Sequence, residues 1–306
     1  MGQGHGHGHA HGRAGDRRRL RAVLAVTVGV MVVELVGAWV AGSLALAADA
    51  GHMATDAAAV VVALAASYVA GRAAGPRSTF GLHRAEILAV VVNALVLLGV
   101  CGVIVYAAIG RLREPAPVEP GLLVGFALVG LVANVVSLLV LQRSDTGSLN
   151  LKAAATEVLA DLLGSVCALA AGLVVWLTGW EQADPVASLV IAVLIAPRAA
   201  LLLRDAVVVL LELTPPGLDL AEVEAALGAV DGVTEVHDLH AWTITSGLPS
   251  LSAHITVSDA CLAERGVGAV LDDLGDVVAA GFGVRHATFQ VEPVSHRPHE
   301  DLGEVH

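Results

Sequence analysis

Six apolar segments, each long enough to cross a lipid bilayer, constrain this chain more than any other feature. They run near residues 22–44, 47–71, 87–110, 121–142, 155–179 and 185–204. About 20 helical residues, at 1.5 Å of rise each, cross the roughly 30 Å hydrocarbon core. Only 15% of the residues are charged, against about 25% in soluble domains. We therefore predict a polytopic α-helical membrane protein with six transmembrane helices.

The lysine and arginine positions orient these six spans. Five arginines lie at or before residue 21, three lie between spans two and three, and Arg143 and Lys152 lie between spans four and five. Positive charge accumulates on the cytoplasmic side of membrane proteins. This pattern predicts a multi-pass protein of the cell membrane with both termini in the cytoplasm, although Arg111 and Arg113 lie on the opposite side.

The sequence changes character after the last apolar segment. Helices are predicted at 219–230 and 262–280, and strands at 233–244, 249–257 and 283–292. This order can close a small two-layer α+β domain. We predict a transmembrane domain over 21–212, a cytoplasmic α+β domain over 213–295 and a tail over 296–306. Residues 205–306 hold 17 acidic residues and three arginines, a balance of −14, which suits cations and excludes nucleic acid as a partner.

The first 20 residues are predicted to be a disordered, histidine-rich tail. Glycine alternates with His5, His7, His9 and His11, and this Gly/His stretch offers no apolar side chains to pack. The histidines suit loose capture of divalent metal, and the alternative is a solubilising tail.

Two pairs of coordinating side chains lie inside the spans. His52 and Asp56 are four residues apart in span two, and Glu157 and Asp161 repeat that spacing in span five. Residues at this spacing share one helix face. Two such faces in contact would present one imidazole and three carboxylates to a common point, which is a four-ligand site for a divalent cation such as Zn²⁺.

The four groups have an alternative interpretation, and other polar residues accompany them. The alternative to a metal site is that the four groups only pair with one another, but neither span contains lysine or arginine, and close carboxylates need a cation or protons. Asp49 is one turn before His52, as a supporting partner or a proton carrier. Glu34, Asn93 and Asn134 either line an aqueous path or join helices by hydrogen bonds.

Three motifs carry a resemblance to a known family. They are the segments from Ser43 to Asp56, from Phe80 to Leu88 and from Glu157 to Ser165, and they resemble the signatures of the cation diffusion facilitator family. The resemblance implies a homodimeric exporter of Zn²⁺ and related divalent ions that exchanges metal for protons by alternating access. It also implies a metallochaperone-like C-terminal domain.

The resemblance assigns roles to several residues. It places the transport site at His52, Asp56, Glu157 and Asp161. The commonest zinc pattern of the family has His or Asp where Glu157 stands, so transport of Co²⁺, Mn²⁺ or Cd²⁺ beside Zn²⁺ is expected. An oxygen donor replaces an imidazole nitrogen there, which makes the site harder.

The resemblance further implies a second metal site and a charge pair. The second site, in the C-terminal domain, comprises His237, His254 and Glu292, with Gln290 where some members have histidine. Strand alternation would place His237 on the face opposite Asp238 and His240, and His240 and His286 are equally explained as solvated strand residues. Arg84 and Glu212 are the expected pair between domain and membrane.

Two other functional classes compete with export. A membrane-embedded metallohydrolase also uses intramembrane histidine and carboxylates, but catalytic zinc keeps an open position for water. A metal sensor would not explain the matched pairs in spans two and five. The chain is therefore predicted to be a transporter and not an enzyme.

Overall fold

The computed structural model describes residues 8–71, 75–142 and 149–299, with side chains described over 20–71, 75–142 and 151–296. Six of its helices are long and apolar enough to cross a membrane. They are α1 (Gly8–Ala41), α2 (Leu44–Ala70), α3 (Arg84–Arg113), α4 (Pro120–Gln142), α5 (Leu149–Thr178) and α6 (Ala183–Leu210). The predicted six-helix membrane fold is confirmed.

The N-terminal segment differs from its prediction. Helix α1 begins at Gly8, whereas disorder was predicted over residues 1–20. Alanine and arginine favour helix, and a segment continuous with a long helix extends it without a new nucleation step. Residues 1–7, with His5 and His7, lie outside the described part. So does the end of the predicted tail, 300–306, whereas Val294–His299 forms a 3₁₀ helix.

The structure divides into two compact units. The first comprises the chain up to Val62 together with Val92–Leu202, and the second comprises Ala63–Val91 together with the chain from Leu203 onward. In the first unit, α4 packs along α1 and α5. Small residues permit this approach, since a Cβ atom on Gly37 would lie 2.5 Å from the Phe126 ring.

Asp184, at the start of α6, caps the N-terminus of α2. Its buried carboxylate accepts hydrogen bonds from Ser43 Oγ at 2.5 Å and from the Leu44 amide at 2.7 Å. These bonds satisfy orphan donors at a helix end and place negative charge at its positive pole. Arg111 lies 3.8 Å from Asp184 and donates to the Gly42 carbonyl at 2.5 Å. Arg111, one of the two arginines that opposed the charge rule, therefore has partners inside the protein.

The second unit contains the predicted α+β domain. Its elements are α7 (Leu220–Gly228), β1 (Val233–Thr245), β2 (Leu248–Val257), α8 (Asp259–Phe282) and β3 (His286–Pro293). The strand order is β1-β2-β3, with β1 antiparallel and β3 parallel to β2. Parallel β2 and β3 require a crossover connection, which α8 provides. Leu251 and Ile255 of β2 join Val223 of α7 and Leu274 of α8 in the buried core.

A β-bulge in β1 changes the predicted arrangement of its histidines. His237 pairs with His254, and His240 pairs with Ser252, so three steps along β1 match two steps along β2. Asp238 lies inside this interval at φ 48°. Since His254 and Ser252 are two residues apart and share a face, so do His237 and His240. The predicted placement of these histidines on opposite faces is therefore wrong, because one extra residue resets the alternation.

Candidate metal-transport site

His52 and Asp161 form the central contact between the two predicted ligand pairs. His52 Nε2 of α2 lies 3.1 Å from Asp161 Oδ1 of α5. The exposed fraction of both residues is small, 5% for His52 and 2% for Asp161. Buried ionisable groups at membrane depth are costly unless they have a function. An imidazole nitrogen and a carboxylate oxygen thus converge where the sequence predicted them.

Asp56 of α2 and Glu157 of α5 are the other two predicted ligands. Together with Asp161 they line a cavity of about 510 Å³. The four predicted ligands therefore lie in one region of the first unit, with a direct contact between His52 and Asp161, and they do not converge on a single point.

Arg198 of α6 is a partner that the sequence analysis missed. Its guanidinium donates to both carboxylate oxygens of Glu157, with distances of 2.9 Å from Nη1 and 2.6 Å from Nη2. The prediction considered cations only in spans two and five, and this cation comes from a third helix. An arginine inside a hydrophobic span was the signal that could have found it, since such residues require a partner.

A buried polar network lies next to His52. Asp49 Oδ1 is 3.5 Å from His52 Nδ1, and Ser165 Oγ lies 3.4 Å from both the Asp49 and Glu34 carboxylates. Asn134 Nδ2 donates to Ser165 Oγ at 3.3 Å. Glu34 and Asp49 are fully buried. Asn134 thus forms the interhelical hydrogen bond that was one of its two predicted roles, and Asp49 is within reach of His52.

The second predicted site lies on the sheet of the C-terminal domain. Ligand atoms of His237, His254 and Glu292 all lie within 4.8 Å of one another. The two imidazole rings are 5.2 Å apart, and His254 Nδ1 is 3.4 Å from Glu292 Oε1. Three such donors are the ligand set of a zinc site. The side chains that the resemblance implied are therefore brought together.

Two neighbours complete the surroundings of these ligands. Gln290 donates through Nε2 to Glu292 Oε1, so it supports a ligand from the position where some family members have histidine. The bulge brings Asp238 Oδ2 to 3.9 Å from His254 Nδ1. Among the described residues Glu292 Oε2 is buried and has no hydrogen-bond partner, which leaves an acceptor open toward a ligand.

Four further predicted residues, Arg84, Glu212, His240 and His286, also lie in the second unit. Arg84 Nη2 donates to Glu212 Oε1 at 2.6 Å, so the expected charge pair is present in the structure. His286 stacks edge-on against Phe80 with ring centroids 5.5 Å apart. His240 lines a cavity of about 870 Å³ next to Trp242 and other residues of this unit. Neither His240 nor His286 joins the three-ligand cluster.

Known proteins resemble this chain over nearly its whole length. The cation efflux transmembrane domain matches residues 20–211, and the cytoplasmic domain of cation efflux proteins matches residues 215–294. The metal cation efflux system protein CzcD of Cupriavidus metallidurans is 41% identical, over 95% of this chain and 90% of that protein. The zinc transporter ZitB of Shigella flexneri is 40% identical, over 94% and 92%. The cadmium, cobalt and zinc/H⁺–K⁺ antiporter of Bacillus velezensis is 36% identical, over 88% and 86%.

Proposed function

Because the chain belongs to the cation efflux family, also called the cation diffusion facilitators, we propose that it exports divalent metal ions, principally Zn²⁺, in exchange for protons. The observation that carries this proposal is the contact of 3.1 Å between His52 and Asp161 across two membrane helices. With Asp56 and Glu157 beside it, the contact supplies one nitrogen and three carboxylate donors for a cation in transit.

Proton exchange follows from the chemistry of these ligands. A metal binds the neutral imidazole and the ionised carboxylates, so loading of the metal displaces protons. A site that opens to a more acidic side therefore loads protons and releases metal. Asp49, 3.5 Å from His52, is placed to hold a proton or to orient the imidazole. The name of the Bacillus velezensis relative, which describes a metal/H⁺–K⁺ antiporter, supports exchange.

The donor set bears on which metals are carried. Affinity rises from Mn²⁺ through Co²⁺, and Zn²⁺ lies above both. Zn²⁺ is accordingly the principal substrate in this proposal, with Co²⁺, Mn²⁺ and Cd²⁺ as secondary ones. Glu157 contributes oxygen where the commonest zinc pattern has nitrogen or a shorter carboxylate, which favours a wider range.

The C-terminal domain fits a regulatory role in a homodimer. The match to the cytoplasmic domain of cation efflux proteins supports cytoplasmic termini in the cell membrane. A balance of −14 between residues 205 and 306 makes two facing copies repel each other. Zn²⁺ bound by His237, His254 and Glu292 reduces this repulsion and draws the copies together. Arg84 and Glu212 would couple that movement to the membrane helices.

Membership of a transporter family argues against the two rivals. A membrane metallohydrolase needs a metal with an open water position, whereas four protein ligands, as proposed here, would close the shell of one cation. A sensor would not require ligands inside the spans.

Reconstitution of the purified full-length chain into liposomes tests the proposal. Vesicles loaded with a fluorescent zinc indicator and an acidic interior should take up external Zn²⁺, and a protonophore should abolish the uptake. Asp161→Asn should lose transport, because it removes a charged ligand in contact with His52. Asp205→Asn is the matched control, since Asp205 is an exposed carboxylate of α6 that pairs with Arg204.

Two results would contradict different parts of the proposal. Zinc uptake that is unaffected by the protonophore would exclude proton exchange but would not contradict metal export. Undiminished uptake by Asp161→Asn would show that the transport site lies elsewhere.

A further inference from the structure

We propose that Arg198 is an affinity-determining residue of the transport site, where it sets the net charge that the site presents to its cation. The inference rests on the proposed function and goes beyond it, because Arg198 is not a metal ligand and comes from α6, outside both ligand-bearing helices.

The geometry of the pair supports this role. Arg198 engages both oxygens of Glu157, at 2.9 Å and 2.6 Å, in the two-pronged arrangement that fixes a carboxylate most firmly. Both residues line the cavity of about 510 Å³ together with Asp56 and Asp161. The guanidinium is therefore a fixed positive charge beside the site that would bind the transported metal ion.

The net charge of the site depends on the pair of Arg198 and Glu157. Asp56, Glu157 and Asp161 carry three negative charges when they are ionised, and Arg198 carries one positive charge at every physiological pH. Their sum is −2, which one divalent ion neutralises. Without Arg198 the three carboxylates would give the site a net charge of −3, so Arg198 cancels one of these negative charges.

This balance predicts opposite effects from removal of the two partners. Without Arg198 the three carboxylates attract a divalent ion more strongly and release it more slowly. Without the charge of Glu157 the unpaired guanidinium repels the ion. At the effective dielectric constant of about 20 that describes protein sites, one unit charge several Å away changes affinity about tenfold or more. A salt bridge with a purely structural role would instead impair transport in the same direction from either side.

The test measures the Michaelis constant and maximal rate of zinc uptake in proteoliposomes. Arg198→Gln should lower KM about tenfold and reduce the maximal rate, whereas Glu157→Gln should raise KM about tenfold. The double variant Glu157→Gln/Arg198→Gln restores the sum to −2 and should return KM to within about threefold of wild type. Arg198→Lys keeps the charge and should also stay near wild type.

The controls separate charge from folding. Arg204→Gln removes the same charge from an exposed position of α6 and should leave KM unchanged. Size-exclusion profiles in detergent check that each variant folds. If a single variant does not fold, the double variant still tests the charge balance. A double variant no better than Glu157→Gln, or single variants that shift KM in the same direction, would overturn the inference while wild-type transport stands. Absence of zinc uptake by the wild type would overturn the proposed function and this inference together.

Discussion

Replacement of Gly164 by alanine should disturb the proposed transport site through Asp49. A Cβ atom at Gly164 would lie 2.6 Å from Asp49 Cγ and 2.9 Å from Oδ2, and would overlap Oδ1. Ordinary van der Waals contacts begin near 3.4 Å, so the Asp49 carboxylate must move by roughly 1 Å, and overpacking of this kind costs about 1–3 kcal/mol. The better helix propensity of alanine returns about 1 kcal/mol.

Transport should suffer more than stability. The net loss of unfolding free energy is then about 0–2 kcal/mol, whereas displacement of a group that supports a metal ligand typically costs 10–100-fold in affinity or activity. We expect Gly164→Ala to fold and to transport zinc at least about tenfold more slowly. Initial rates of uptake in proteoliposomes and thermal unfolding in detergent measure the two effects.

A matched control exists on α3. Gly99 has no atom within 4 Å of a built Cβ, so Gly99→Ala should leave transport unchanged and should not destabilise the protein. If Gly164→Ala transported zinc as fast as Gly99→Ala, the position of Asp49 would not matter to the site.

Three further predictions concern other parts of the molecule. Asp184→Asn weakens the cap on α2 and should destabilise the protein by about 1–2 kcal/mol in thermal unfolding, and an unchanged midpoint would contradict the capping role. Saturating Zn²⁺ should shorten the distance between spin labels at position 272 in two copies of the chain, and Glu292→Gln should remove that response; equal distances with zinc and with chelator would refute the regulatory role. Arg84→Gln should change the unfolding free energy by less than about 1 kcal/mol, because the pair with Glu212 is exposed; a larger loss in denaturant titrations would show that it stabilises the fold.

The spans and the ligand pairs could be predicted from the sequence because both depend on local spacing. Hydropathy over about 20 residues defines a membrane helix whatever its neighbours are. The four-residue intervals from His52 to Asp56 and from Glu157 to Asp161 define a helix face in the same local way. The alternation of helix and strand after residue 213 likewise predicted the α+β domain, whose strands lie within three residues of their predicted bounds.

Only the tertiary structure decided which groups meet across helices and strands. Arg198 is 41 residues from Glu157, and Ser165 is 131 residues from Glu34, and no local period relates either pair. The bulge at Asp238 depends on the register of β1 against β2, which strand alternation alone does not determine, since one extra residue reverses every later side chain. Helix faces follow from the sequence, whereas contacts between three helices depend on how those faces pack.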